Sequence, residues 1–194
     1  PEAIERATAD SEVRVVVLRG AGDRAFSAGA DISEFESGRT GDAAKVYDAL
    51  NDAAFNALID CQKPTIAMIQ GFCLGGGLGL ALCCDMRIAD DTSQFAIPAA
   101  KLGIGYNARW VRPILSAVPA DRAKQLLFTG RRFRSADAEA MGLITQLVPK
   151  GEIEATVIAL AKLDAVVEAC FASDDYAEGR RAFLEKRKPV FKGQ

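Results

Sequence analysis

Short apolar runs rich in β-branched residues alternate with segments of helical period, and that alternation constrains the fold more than any other feature of this chain. Residues 14–18 (RVVVL) end at Gly20, and 65–69 (TIAMI) follow Pro64 and stop before Gly71. Residues 86–89, 94–97 (closed by Pro98) and 144–148 (stopped by Pro149) are further candidates for strands. Between the first two runs, 42–59 carries Val46, Leu50, Ala54 and Leu58 at helix spacing, which predicts a helix. Strands separated by helices pair in parallel, so the expected class is α/β.

The later sequence changes character. Residues 121–128 predict a helix entered from Pro119 and ended near Gly130, and Ser135 reads as the cap of another ending near Gly142. Ser173 caps a last helix with Asp174 and Asp175 in its first turn, and Lys186, Arg187 and Lys188 are expected in its last. The division expected is an α/β core over 1–118 and a helical region over 119–194. The start, PEAIERATADS, already looks helical and has no signal-peptide pattern.

Composition removes several chemistries. Lys+Arg number 24 and Asp+Glu 26, for a net charge of -2, which lacks the basic excess of a nucleic-acid binder. No apolar run reaches the ~20 residues of a membrane span. Five Cys without framework spacing predict a reducing, cytoplasmic setting, with Cys83 and Cys84 as small buried hydrophobes. The chain has no His, so Ser-His and Cys-His triads are excluded and no metal site is expected.

Two glycine-bearing turns remain as the places for chemistry: AFSAGADI (25–32) and GFCLGGGLGLAL (71–82). The second lacks the Lys of a phosphate-binding P-loop and the third glycine of a dinucleotide fingerprint. GIGYNA (103–108) fits that fingerprint by letter but follows no strand. Tight strand–helix packing is one reading of the GGGLGL glycines. The other is an oxyanion hole built from backbone N–H groups of both turns.

SAGADI (27–32), PTIAMIQG (64–71), GGGLGLAL, CDMRIAD (84–90), LFTGRRFRSADAEAMGLITQLVP (127–149) and EGRRAFLEKRKPVF (178–191) resemble, in order, the crotonase superfamily, the enoyl-CoA hydratase/isomerase group. The resemblance implies a spiral of ββα units with a C-terminal helical trimerisation region. It implies a homotrimer or a dimer of trimers, an acyl-CoA thioester substrate, and no tightly bound cofactor, coenzyme A being part of the substrate. It also implies strands ahead of Pro1, and a longer stretch than the one present at 158–171.

The same resemblance assigns roles. The amides of Ala30 and Gly76 form the oxyanion hole. Arg24 lies near the CoA phosphates, and Ala28 with Ala30, Asp31, Ile32 and Ser33 lines the pantetheine and adenine pocket. Phe183 and Lys186 reach a neighbouring subunit's CoA. The two glutamates that activate water in family hydratases fall here at Gly79 and Ala99, which carry no proton-transfer group. Asn107 stands where dienoyl-CoA isomerases and a chlorobenzoyl-CoA dehalogenase place an Asp. Tyr106-Asn107 resembles the pair of the methylmalonyl-CoA decarboxylase branch. Three readings stay open: a hydratase/isomerase-type enzyme, a decarboxylase using Tyr106, and a CoA-thioester-binding protein without turnover.

Overall fold

The computed structural model describes residues 1–31, 41–162 and 173–192. It divides into two compact units, Pro1–Val157 and Ile158–Gln194. The first opens with α1 (Glu2–Ala9), followed by β1 (Val16–Arg19) and β2 (Ala25–Ser27). Next come α2 (Gly41–Ile59), β3 (Thr65–Ile69), β4 (Phe72–Leu74) and α3 (Gly76–Leu82). A second strand–strand–helix set repeats as β5 (Met86–Asp90), β6 (Gln94–Ala96) and α4 (Ala99–Leu102). Each set sends its first strand to one sheet, ordered β1-β3-β5, and its second to another, ordered β2-β4-β6. This is the spiral of ββα units expected for the family.

All of those pairings are parallel, with Val17 opposite Ile66, Met68 opposite Ile88, and Cys73 opposite Phe95. β8 (Gln146–Val148) adds a parallel fourth strand to the first sheet, and β7 (Phe133–Arg134) an antiparallel one to the second. Every residue of β3 is buried, as expected of a strand covered on both faces. Ile66, Met68 and Ile69 each contribute about 1.5–3 kcal/mol of burial. Of the second sheet, β6 falls within the expected strand at 94–97, whereas β2 and β4, three residues long, show no period in the sequence.

α5 (Ala108–Ala117), α6 (Ala120–Thr129) and α7 (Ser135–Ala140) complete most of the first unit, with α6 ending at Gly130 in a left-handed cap (φ 54°). Ser135 corrects an expectation: it is the first helical residue, not the cap. Its hydroxyl donates to the carbonyls of Asp90 and Ser93 at 2.6 and 2.9 Å, tying α7 to the end of β5.

α8 (Ile153–Ala161) follows, and α9 (Asp174–Leu184) starts as expected, with Ser173 Oγ accepting from the Tyr176 amide at 3.1 Å. Its basic end differs. Arg181 occupies the last turn, while Arg187 folds back beyond the helix to pair with Glu178 at 2.5 Å. Among the described residues no helix is long and apolar enough to cross a membrane.

Candidate active site

β2, β4 and β6 run parallel, and a cavity opens beyond their C-terminal ends, the usual location of a ligand site in parallel sheets. The turn after β2 supplies Ala28, Gly29 and Ala30. The turn after β4 supplies Gly75 and Gly76, and the segment after β6 supplies Ile97, Pro98 and Ala99.

The first two turns touch through their backbones, and this explains their glycines. A Cβ on Gly29 (φ +89°) would stand 3.0 Å from the Leu74 carbonyl oxygen, and one on Gly77 would stand 2.4 Å from Ser27 Cβ. Larger residues would force the turns apart. The tight-packing and oxyanion-hole readings of the glycines are therefore both compatible with the same geometry. Gly29 is further held by its amide donating to Ser27 Oγ at 3.2 Å.

Ala30 and Gly76 both line the cavity. Gly76 is the first residue of α3, where an amide has no intrahelical acceptor, and among the described residues neither amide donates a hydrogen bond. By contrast, the neighbouring Gly75 amide is taken by the Ala96 carbonyl at 2.8 Å. Ala30 and Gly76, from separate chain turns, thus line one cavity, and their amides are the candidate donors there for an anionic or polarised oxygen.

Gly79 and Ala99, the positions where the resemblance expects two glutamates, also line this cavity, and neither carries a carboxylate. The volume at Gly79 is filled by a ring from the helix Gly41–Ile59. A Cβ built there would lie 2.7 Å from Phe55 Cζ and 3.3–3.4 Å from the two ε carbons. Phe55, only 8% exposed, directs its ring end-on at the glycine.

Phe55 belongs to a group the sequence reading missed. Tyr47, Asn51 and Phe55, one turn apart along α2, line the cavity. Along the apolar stripe of α2, Leu58 is buried, but Val46 and Leu50 are 61% and 66% exposed. The helix presents a mixed aromatic and polar face to the site, so scoring by hydrophobicity selects the adjacent stripe. The four-residue spacing of Tyr47, Asn51 and Phe55 was the available signal.

The remaining wall comes from α4, α5 and the loop joining them: Leu102, Ile104, Tyr106, Trp110 and Ile114. Tyr106 meets Trp110 edge-on at 5.6 Å between ring centres. Trp110 Nε1 donates to Asp52 Oδ1 at 2.9 Å, and the other Asp52 oxygen pairs with Arg109 at 2.6 Å. A carboxylate on α2 thereby fixes the indole that supports Tyr106. Asn107 is outside the lining. Its side-chain oxygen caps α5 by accepting from the Trp110 amide at 3.1 Å.

Among the residues expected to bind CoA, Ala28 and Ala30 line the cavity, whereas Arg24 and Asp31 are exposed outside its lining. Ile32 and Ser33 lie outside the described residues. Phe183, on α9 in the second unit, is 84% exposed, and Lys186 follows that helix with φ 53°.

The family model described as enoyl-CoA hydratase/isomerase matches residues 1–163. The chain is 32% identical to the short-chain-enoyl-CoA hydratase of Clostridium acetobutylicum, over 92% of this chain and 80% of that protein. It is 33% identical to the crotonyl-CoA hydratase of Syntrophomonas wolfei, over 98% and 85%. The first of these alignments runs to 210 positions, more than the 194 residues of the chain, so that relative carries internal residues absent here. A solved structure of an enoyl-CoA hydratase/carnithine racemase from Magnetospirillum magneticum superposes with a TM-score of 0.81 at 34% identity, covering 100% of this chain and 84% of that one. With the paired sheets, the touching glycine turns and these matches together, the chain belongs to the enoyl-CoA hydratase/isomerase family, the crotonase superfamily.

Proposed function

We propose that the chain binds an acyl-CoA thioester with its carbonyl oxygen between the Ala30 and Gly76 amides, and that it stabilises the thioester enolate there. The observation that supports this reading is that Ala30 and Gly76, from two separate turns, line one cavity, with neither amide donating a hydrogen bond among the described residues. Such donors act on charge that develops during reaction, and removing one commonly costs about 10²–10³ in rate. Coenzyme A enters as part of the substrate. Arg24 is proposed near its phosphates, and Phe183 and Lys186 against the CoA of a neighbouring copy in a trimer or a dimer of trimers. The compartment proposed is the cytoplasm.

Water addition by two glutamates has no residue to perform it here, because Gly79 and Ala99 stand in their places. Each lost acid–base group costs about 10²–10⁴-fold. Tyr106 in the cavity wall favours a second reading, decarboxylation of a malonyl-type thioester. In that reaction the bond from the α carbon to the carboxylate breaks, and its electron pair becomes the enolate held by the two amides. Carbon dioxide leaves, and a proton later returns to the α carbon. No base is required, and the Tyr106 hydroxyl serves as a hydrogen-bond donor to the departing group.

Gly76→Pro tests the oxyanion hole. Proline is accepted at the first position of a helix and removes the N–H, placing ring carbons there instead. Calorimetry compares hexanoyl-CoA with its thioether analogue, which lacks the carbonyl. The wild type is expected to prefer the thioester by roughly five-fold, one net hydrogen bond, and the variant to lose that preference. Equal preference in both proteins refutes the reading. In parallel, crotonyl-CoA absorbance and carbon dioxide release from methylmalonyl-CoA separate the reactions. Rapid hydration overturns the argument from the missing glutamates, and a Tyr106→Phe variant that still decarboxylates overturns the role of Tyr106.

A further inference from the structure

Gly29 is explained by the nearby Leu74 carbonyl and Gly77 by Ser27, but Gly79 has neither kind of neighbour. Its missing side chain is answered by another side chain, the ring of Phe55, brought from α2. This exchange changes the chemistry of the wall. Where family hydratases hold a carboxylate that binds water, this site has an aromatic edge.

The ring does not stand alone. Ile97, Ile104, Trp110 and Ile114 line the same cavity, and among the described residues that line it none carries a formal charge. Polar side chains enter only as Tyr47, Asn51 and Tyr106. A wall of this kind gains little from a two-carbon acyl group, which presents almost no apolar surface. It gains with each carbon that leaves water against it.

We propose that Phe55, seated on Gly79, is the residue that selects the acyl group, and that the site favours thioesters carrying an apolar chain or ring beyond the reacting carbons. This inference rests on the thioester reading above and deepens it by naming the substrate class. It does not depend on which reaction follows, because both readings place the acyl carbons in this cavity.

The test uses saturated ligands that can be neither hydrated nor decarboxylated. Calorimetry on the full chain measures CoA, acetyl-CoA and hexanoyl-CoA against wild type, Phe55→Ala and Phe55→Leu. Wild type is expected to bind hexanoyl-CoA at least about ten-fold more tightly than acetyl-CoA, given roughly four-fold per fully buried methylene. Phe55→Ala is expected to cut that ratio by about five-fold or more while leaving the dissociation constant for CoA within about two-fold. Phe55→Leu, which keeps part of the apolar side chain but not the ring end seated on Gly79, is expected to give a ratio between those of wild type and Phe55→Ala. A role confined to folding would move CoA and both thioesters together. A wild-type ratio near one, or a ratio unchanged in Phe55→Ala, overturns the inference alone. Absence of binding by CoA and both thioesters overturns the thioester reading and this inference with it.

Discussion

Gly79→Ala adds one carbon to the chain, and the structure places that carbon 2.7 Å from Phe55 Cζ. Two effects of opposite sign compete. In an ordinary helix interior, alanine is favoured over glycine by about 1 kcal/mol. Against this stands overpacking, which in a filled interior costs about 1–3 kcal/mol. Phe55 is 8% exposed and meets the new carbon end-on with three ring atoms, so a small rotation of the ring does not relieve the contact. The net expectation for Gly79→Ala alone is between no change and a loss of about 2 kcal/mol. Phe55→Leu deletes the ring atoms that would clash. In that background the same glycine substitution is expected to stabilise by about 1 kcal/mol. The coupling between the two sites is therefore about 1–3 kcal/mol, well above the scatter of independent mutations. Urea unfolding of wild type, the two single variants and the double variant measures it. A coupling below about 0.5 kcal/mol refutes the claim that Phe55 occupies the space of a side chain at position 79.

Further outcomes follow from the same structure. Trp110 is the only tryptophan, so its fluorescence reports directly on the cavity wall. Asp52→Ala, which removes the acceptor of its indole N–H, is expected to cost about 1–3 kcal/mol and shift the emission, whereas Asp52→Asn keeps an acceptor oxygen and most of both; equal spectra for all three proteins would count against this support. Burial pushes the Cys83 and Cys84 thiols up to about 12 and Cys73 well above its ordinary value. Native protein is expected to resist iodoacetamide at these three sites, while half-buried Cys61 reacts, as peptide mass spectrometry would show. Because these thiols have higher values folded than the ordinary 9.0, their contribution to stability is complete below 9.0 and is lost as pH rises towards about 12. Glu178 behaves oppositely: hydrogen bonds from Arg187, then from the Val190 amide, hold its carboxyl at about 2, below the ordinary 4.5. The pair therefore contributes above 4.5 and fades as pH falls through about 2, and a Glu178 carboxyl signal titrating near 4.5 by NMR would exclude the clamp.

The legible part of the site was its backbone. Glycines at 29, 75 and 77 marked turns where chains approach closely, and the structure shows the partners: the Leu74 carbonyl, Gly29 and Ser27. The absence of carboxylates at 79 and 99 was equally legible, since residue identity needs no coordinates. Less was legible on α2. Its existence followed from composition and period, but its orientation did not, because a cavity-lining face contains Tyr47 and Asn51 and is no more apolar than its neighbour. Ser135 was misread for a related reason. A serine at a helix start usually caps the helix, yet here a better pair of acceptors, the Asp90 and Ser93 carbonyls, takes its hydroxyl.

The amino-acid sequence alone therefore determined the α/β class, the parallel run of strands such as Thr65–Ile69, the glycine turns and the chemistry that is missing. These are local matters: backbone conformation and periodic burial are set by residues within a few positions of one another. The tertiary structure alone decided that β2 and β4 form a second sheet, that Asp52 fixes Trp110, and that Phe55 fills the space at Gly79. Those contacts join residues distant along the chain. Their geometry depends on how a helix is rotated and set against two sheets, which no short window of sequence encodes.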